Sequence, residues 1–214
     1  MAAPAPLSTA PQLPFKYVGG DASIDLVNTV DWAARGLVDD RLTDYERLTH
    51  WAEGAGVLTA KEGSQLRSLA AVHPRLAERT HRGALELRWQ LRQLFVAADR
   101  GESLGECDAL DELNRSLGDA LSRLELFSSR ATDTEAPLRW SWRDASEELE
   151  SVLWPVIRSA AELLVSEEAA RIHECAGEDC GWMYVDRSRN GLRRWCQMET
   201  CGNREKSRRR AGRD

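Results

Sequence analysis

Four cysteines near the C-terminal end restrict this 214-residue chain more than any other feature: Cys175-x4-Cys180-x15-Cys196-x4-Cys201. Two close pairs joined by a longer segment let each pair curl into a knuckle, and the segment brings the knuckles together around a tetrahedral ion. Thiolates are soft, anionic ligands that hold Zn2+ at about 2.3 Å. The competing reading is a pair of disulfides, which needs an oxidising compartment. The opening MAAPAPLSTAPQLP has neither a basic start nor a continuous apolar stretch, so residues 1–14 read as a flexible Ala/Pro leader and not as a secretory signal. No apolar run reaches the roughly 18 residues that span a bilayer. The expectation is a cytoplasmic chain with reduced thiols and one structural Zn2+ held by Cys175, Cys180, Cys196 and Cys201. His173 could substitute as a ligand, but four sulfurs fill the sites and it reads as a strand residue. Cys107 reads as a small apolar residue of a helix.

Charge divides at the same place. Residues 1–170 hold 18 basic and 28 acidic side chains, and residues 171–214 hold 11 and 7, so the net charge of −6 is the sum of −10 and +4. Within 181–213 there are ten basic side chains to three acidic. A basic end on an acidic chain suits a polyanionic partner.

The chain before the cysteines has mostly helical period. A short strand is expected at Phe15–Val18, closed by Gly19-Gly20. DASIDLVNTVDW sets Ile24, Val27 and Trp32 on one helical face. Thr43 or Asp44 caps a helix that Gly54 and Gly56 stop, and Thr59-x-x-Glu62 is a capping box. Pro74 opens a long helix to about Arg100, with Leu85, Trp89, Phe95 and Val96 as its apolar residues. Ser103-x-x-Glu106 is a second capping box, before a helix through Leu110 and Leu121. Alternation in RLELFSS and at Leu138, Trp140 and Trp142, with the turn-rich SRATDTEAP between them, predicts a β-hairpin. A helix from Ser146 to Leu164 should kink at Pro155. Trp32, Trp51, Trp89, Trp140, Trp142 and Trp154 read as core. The predicted fold class is mainly α with a small β-hairpin. A helical N-terminal domain over residues 15–168 precedes a treble-clef-like four-cysteine zinc finger over residues 169–214, which ends in a basic helix.

Around the cysteines, Arg171–Glu174, Trp182–Val185 and Leu192–Trp195 read as short strands, with Trp182, Tyr184 and Trp195 covering the metal. About 40 residues bury too little to fold unaided, so the metal is required. Glu199–Arg213 reads as a helix about 22 Å long with Cys201 in its first turn. With Cys201 facing the metal, Asn203, Lys206, Arg210 and Arg213 fall on the far side, Arg209 flanks them, and Arg204 and Arg208 lie nearer the metal. Asn and Arg can read adenine and guanine edges, and the remaining cations bind phosphate. VDRSRNGLRR adds Arg187, Arg189, Asn190, Arg193 and Arg194, a loop able to straddle a nucleic-acid backbone. For Asn203 and Arg204 a second reading stands beside this one, in which both hydrogen-bond around the second knuckle.

The segment HECAGEDCGWMYVDRSRNGLRRWCQMETCGNREKSRRR closely resembles the CGNR zinc finger, named after the tetrapeptide formed here by Cys201, Gly202, Asn203 and Arg204. FKYVGGDASIDLVNT, with Asp25, Asn28 and Thr29, resembles the start of the ABATE domain, the usual N-terminal partner of that finger. Together the two resemblances span nearly the whole chain. They imply a bacterial, stress-induced transcription regulator whose finger binds DNA and whose N-terminal domain senses a signal. Asp25, Asn28 and Thr29 then either line a pocket for a small-molecule effector or pin a neighbouring loop, as buried polar groups usually must. One small finger gives modest affinity, so a homodimer is expected. The alternative is an RNA- or ribosome-binding zinc module, with Trp182 and Tyr184 as stacking candidates. An enzyme is disfavoured: the sequence has no phosphate loop, no HExxH and no nucleophile elbow, and a closed four-cysteine site leaves no open coordination position.

Overall fold

A computed structural model describes residues 13–33, 36–128 and 138–211. In chain order these hold α1 (Ala22–Val27), β1 (Val30–Ala33), β2 (Gly36–Asp40), α2 (Tyr45–Gly54), α3 (Ala60–Val72), α4 (Pro74–Asp99), α5 (Asp108–Leu121), β3 (Leu124–Ser128), β4 (Leu138–Trp142), α6 (Trp154–Val165), β5 (Ile172–Glu174), β6 (Met183–Val185) and α7 (Asn203–Ala211). The strands form three antiparallel pairs, β1-β2, β3-β4 and β5-β6. The architecture is mainly α, with small strand pairs and a four-cysteine cluster near the C-terminus. Most of the leader expected over residues 1–14, and Arg213, lie outside the described residues.

Local chemistry sets several boundaries. The Asp44 carboxylate accepts from the Arg47 amide at 2.8 Å and caps α2. Thr59 and Glu62 form the reciprocal capping box of α3. Pro74, which has no amide hydrogen to leave unpaired, begins α4 directly after α3. The β3-β4 hairpin pairs Leu124 with Trp142 and Ser128 with Leu138. Asp21 caps α1 and also accepts from the Ser159 hydroxyl of α6 at 2.8 and 2.9 Å, which ties the first helix to the sixth.

Other expectations give way to tertiary context. Phe15–Val18 is not a strand, and the helix expected across Asp21–Trp32 stops at Val27, where β1 and β2 follow. Ser103 makes no capping bond: a 3-10 turn, Leu104–Glu106, intervenes before α5. Pro155 does not kink a helix, because it sits in the first turn of α6, after a separate 3-10 turn at Leu149–Val152. Trp89 and Trp140 are 54% and 58% exposed, so they are not core residues. The buried stripe of α4 runs instead through Ala84, Leu87, Arg88, Leu91, Leu94 and Phe95. That helix packs against α1, α2 and α5, and these neighbours select its inner face.

One hydrophobic cluster joins α1, α2, α4, α5 and α6, with Trp51 and Phe95 fully enclosed. Arg88 is buried within it, and its guanidinium meets both Asp40 carboxylate oxygens at 2.8 and 2.6 Å and the Thr29 hydroxyl at 3.1 Å. A buried guanidinium is tolerated because its hydrogen bonds are satisfied in this way. The same apolar cluster continues into Ile172, Met183 and Val185. The cysteine-bearing end is therefore seated on the helical body and shares its interior.

Candidate metal centre and basic helix

The first knuckle, Cys175 to Cys180, is closed by the Cys180 amide donating to the Gly177 carbonyl at 3.1 Å. A Cβ at Gly177 would lie 3.3 Å from Cys180 Cβ, 3.4 Å from Cys201 Sγ and 3.5 Å from Cys175 Sγ, so a residue without a side chain lets the turn close over the sulfurs. The second knuckle widens into a π-helical turn, Met198–Gly202, that carries Cys201 and runs directly into α7. All four Sγ atoms lie within 4.8 Å of one another. Cys180–Cys196 and Cys196–Cys201 are separated by 3.5 and 3.6 Å. A tetrahedron of sulfurs about 2.3 Å from a central ion has edges of about 3.8 Å. The cluster fits Zn2+, and it does not fit disulfides, whose sulfurs stand about 2.05 Å apart; all four cysteines are free.

The electrostatics agree with that geometry. Hydrogen bonds from the thiols of Cys180 and Cys196, with those from the Cys196 and Gly177 amides, hold the Cys175 thiol well below the usual thiol range. Cys180 and Cys196 are pushed up, first by donating to it. Four crowded sulfurs therefore resist ionising together unless a cation stands among them. Trp182 and Tyr184 are buried against the cluster, and Trp195 packs at its side. Tyr184 donates to the Arg193 carbonyl at 2.6 Å.

The body grips this centre through the IDLVNT stretch. Asn28 donates to the Met183 carbonyl at 2.8 Å and accepts from the Met183 amide at 2.9 Å, taking the place of a neighbouring strand. Asp25 accepts from the Gly19 amide at 2.8 Å, and the Gly19 carbonyl in turn accepts from the Val185 amide at 2.8 Å. Burial pushes the Asp25 carboxyl up to about 6, against the opposing pull of the Gly19 and Val18 amides. Thr29 donates to the Leu26 carbonyl and accepts from Arg88. Asp25, Asn28 and Thr29 act here as fasteners, with their polar atoms taken by backbone and by Arg88. Trp182 adds a bond from its indole to the Val30 carbonyl at 3.0 Å. His173 is a strand residue and pairs with Asp99 at 3.0 Å.

The basic residues separate into two groups. Arg193 is half-buried. Its guanidinium reaches the carbonyls of Trp195 at 3.0 Å, Val18 at 3.0 Å and Cys196 at 2.5 Å, and stacks 4.2 Å from the Tyr184 ring centroid. These contacts make it a bracket between the loop, the second knuckle and Val18. Arg187 makes two bonds to Glu168, at 2.6 and 2.7 Å, and one to the Gly20 carbonyl. Arg208 pairs with Glu178 and Glu205, and Arg209 with Glu205. Asn203 donates to the Glu199 carbonyl at 3.2 Å, as the knuckle reading has it. Arg189, Asn190, Arg194, Arg204, Lys206 and Arg210 are exposed, and the five cations among them have no acidic partner among the described residues. Leu192–Trp195 is irregular rather than a strand. The loop is shaped by Asp186, which accepts from the Ser188 and Arg193 amides at 2.8 and 2.9 Å.

Comparison with protein-family models places residues 20–167 in the ABATE family, described as "Putative stress-induced transcription regulator". The chain belongs to the ABATE family. Residues 171–214 match the CGNR zinc finger, so the four-sulfur cluster is the metal site of a finger appended to an ABATE body. No curated protein matches the chain. Neither matched family is an enzyme family. No helix among the described residues is long and apolar enough to cross a membrane. The ABATE body contributes contacts to the finger that sequence reasoning did not assign. Glu174, beside the first ligand, is held by Arg92 at 2.6 Å, and its backbone amide donates to the Asp99 carboxylate at 3.1 Å. The one signal for such contacts was polar residues inside an apolar helix, the pattern at Asp25 and Asn28.

Proposed function

We propose that this ABATE protein is a DNA-binding transcription regulator of the cytoplasm, in which one Zn2+ fixes the finger and the finger's basic surface meets the phosphates of a duplex. The observation that carries this reading is the set of exposed cations without acidic partners: Arg189 and Arg194 on the loop, and Arg204, Lys206 and Arg210 on α7. No residue of α7 is buried. A nine-residue helix that is polar all round has little stability of its own and gains from an anionic partner. Its start is anchored by the turn that carries Cys201, so the metal governs how the cations are presented. Phosphate contacts set position and affinity; the exposed Arg204 and Arg210 of α7 are the candidates for reading bases. A second copy would double a modest set of contacts, which favours a homodimer.

Five neutralised phosphates give a slope of about −4 to −5 for log K against log salt concentration. Fluorescence anisotropy of the zinc-loaded protein with labelled duplex DNA across a salt series measures it. Arg210→Ala should weaken binding and reduce the slope by about one. Zinc-stripped protein that binds with the same affinity and slope would overturn the mechanism.

A second reading, RNA binding, has a different observation behind it. Trp182 and Tyr184 are buried and cannot stack on bases. Trp195, however, is half-buried, with the Arg194 guanidinium 5.5 Å from its ring centroid and the exposed side chains Leu192 and Met198 beside it along one groove. An aromatic and apolar surface next to free cations suits unpaired bases. Competition between duplex DNA and structured RNA at matched salt decides between the two.

A further inference from the structure

On the helical body, with no cysteine in its lining, α4, α5 and the start of α6 line an open cleft of about 500 Å3, within the size range of small-ligand sites. Its floor is the buried set Leu87, Leu153, Trp154 and Ile157. Two neighbouring residues of α4 on its wall are locally unfavourable. Thr80 is 2% exposed, and its hydroxyl oxygen has no hydrogen-bond partner among the described residues. In helices that hydroxyl ordinarily bonds a carbonyl of the preceding turn. Gly83, three residues on, lies in the interior of a 26-residue helix, where glycine is the least favourable residue after proline. A Cβ at Gly83 would meet nothing within 4 Å, so packing does not require the glycine. What it does is keep the cavity open. Local rules broken side by side on one wall of a cavity are the pattern expected where function overrides local stability.

The rim identifies the ligand's charge. Four carboxylates, Glu86, Glu112, Asp119 and Glu150, face two guanidiniums, Arg79 and Arg82. Glu150 is 3.8 Å from Arg79, and Glu112 is paired with Arg115 outside the cavity. Glu86, Asp119 and Arg82 have no ion-pair partner among the described residues, so the unpaired charges of the rim leave one net negative charge.

We propose that the cavity binds a small organic monocation with an apolar body. The ammonium is taken by the Glu86 and Asp119 carboxylates, and the body lies on Leu87, Leu153 and Ile157. A turn about the Cα–Cβ bond of Thr80 brings its hydroxyl to the ligand. The site deepens the reading of the ABATE body as the sensing half of the regulator and rests on that reading only for its consequence, since binding itself involves no nucleic acid.

The test uses the full-length, zinc-loaded protein and two probes of similar shape and opposite charge, tryptamine and indole-3-acetate, in thermal-shift and calorimetric titrations. Tryptamine at ten times its Kd should multiply the folded-to-unfolded ratio about elevenfold and raise Tm; indole-3-acetate at the same concentration should not. Gly83→Leu, which fills the space, should raise the Tm of the free protein and abolish the tryptamine shift. The exposed double change Glu86→Gln and Asp119→Asn should leave the fold intact and weaken tryptamine at least tenfold, which keeps the test decisive if Gly83→Leu folds poorly. Equal shifts from both probes, no tryptamine binding up to millimolar concentration, or full tryptamine affinity in the double variant each overturns the proposal. DNA affinity measured separately keeps a failure here distinct from a failure of the regulator reading.

Discussion

Asn28 shows how much one side chain can carry. Its amide offers one donor and one acceptor to the backbone of Met183, so a buried strand of the finger is satisfied by a residue 155 positions away. Asn28→Ala leaves a buried amide and a buried carbonyl without partners. At about 1–3 kcal/mol for each of the two orphaned groups, the expected loss is ~2–6 kcal/mol of unfolding free energy, measured by urea titration of the zinc-loaded protein. Asp25 makes a different prediction. Burial raises its folded pKa to about 6 from 3.8, so between those values the folded state binds a proton that the unfolded state does not. This contribution therefore favours folding increasingly as pH falls from about 7 to 4, and the stabilisation is lost as pH rises through 6. Asp25→Asn removes the titration, so the stability of wild type relative to the variant should improve by about 2 kcal/mol from pH 7.5 to pH 4.5, read from paired urea melts.

Among the elements, α7 depends most on the metal and least on burial. Its Glu205 holds Arg208 and Arg209, which removes them from the set of free cations. Glu205→Gln should release Arg209 and steepen the salt dependence of DNA binding by about one unit of slope, with anisotropy as the readout. Cys201→Ser takes a ligand from the turn that starts α7. Zinc content by mass spectrometry under native conditions should fall below one ion per chain, while the far-ultraviolet dichroism of the helical body persists. Caps were the legible part of the elements: Asp44, Thr59-Glu62 and Pro74 act within a few residues of where they stand, so sequence is enough to find them. The second box at Ser103 has the same letters and does not form, because the chain there turns into a 3-10 segment before α5.

At the scale of the whole molecule, the apolar interior crosses from the ABATE body into β5 and β6 of the finger. The finger is too small to be stable by itself, and without it the body would leave the Asn28 amide unpaired. Zinc removal should therefore lower the melting temperature of the entire chain, seen by calorimetry as a shift of one cooperative transition and not as the loss of a small separate one. A chain cut after residue 168 should be less stable and more prone to aggregate than the full protein. The sequence by itself determined the metal ligands, because four thiols at that spacing have one economical geometry, and it determined the charge division, because charge is additive along a chain. It also marked IDLVNT as unusual without saying why. Tertiary structure alone decided which arginines remain free, which face of α4 is inner, and that Asp25 and Asn28 fasten the finger. Those outcomes depend on partners tens to more than a hundred residues distant, and no periodicity or spacing along a single chain records which distant segments meet.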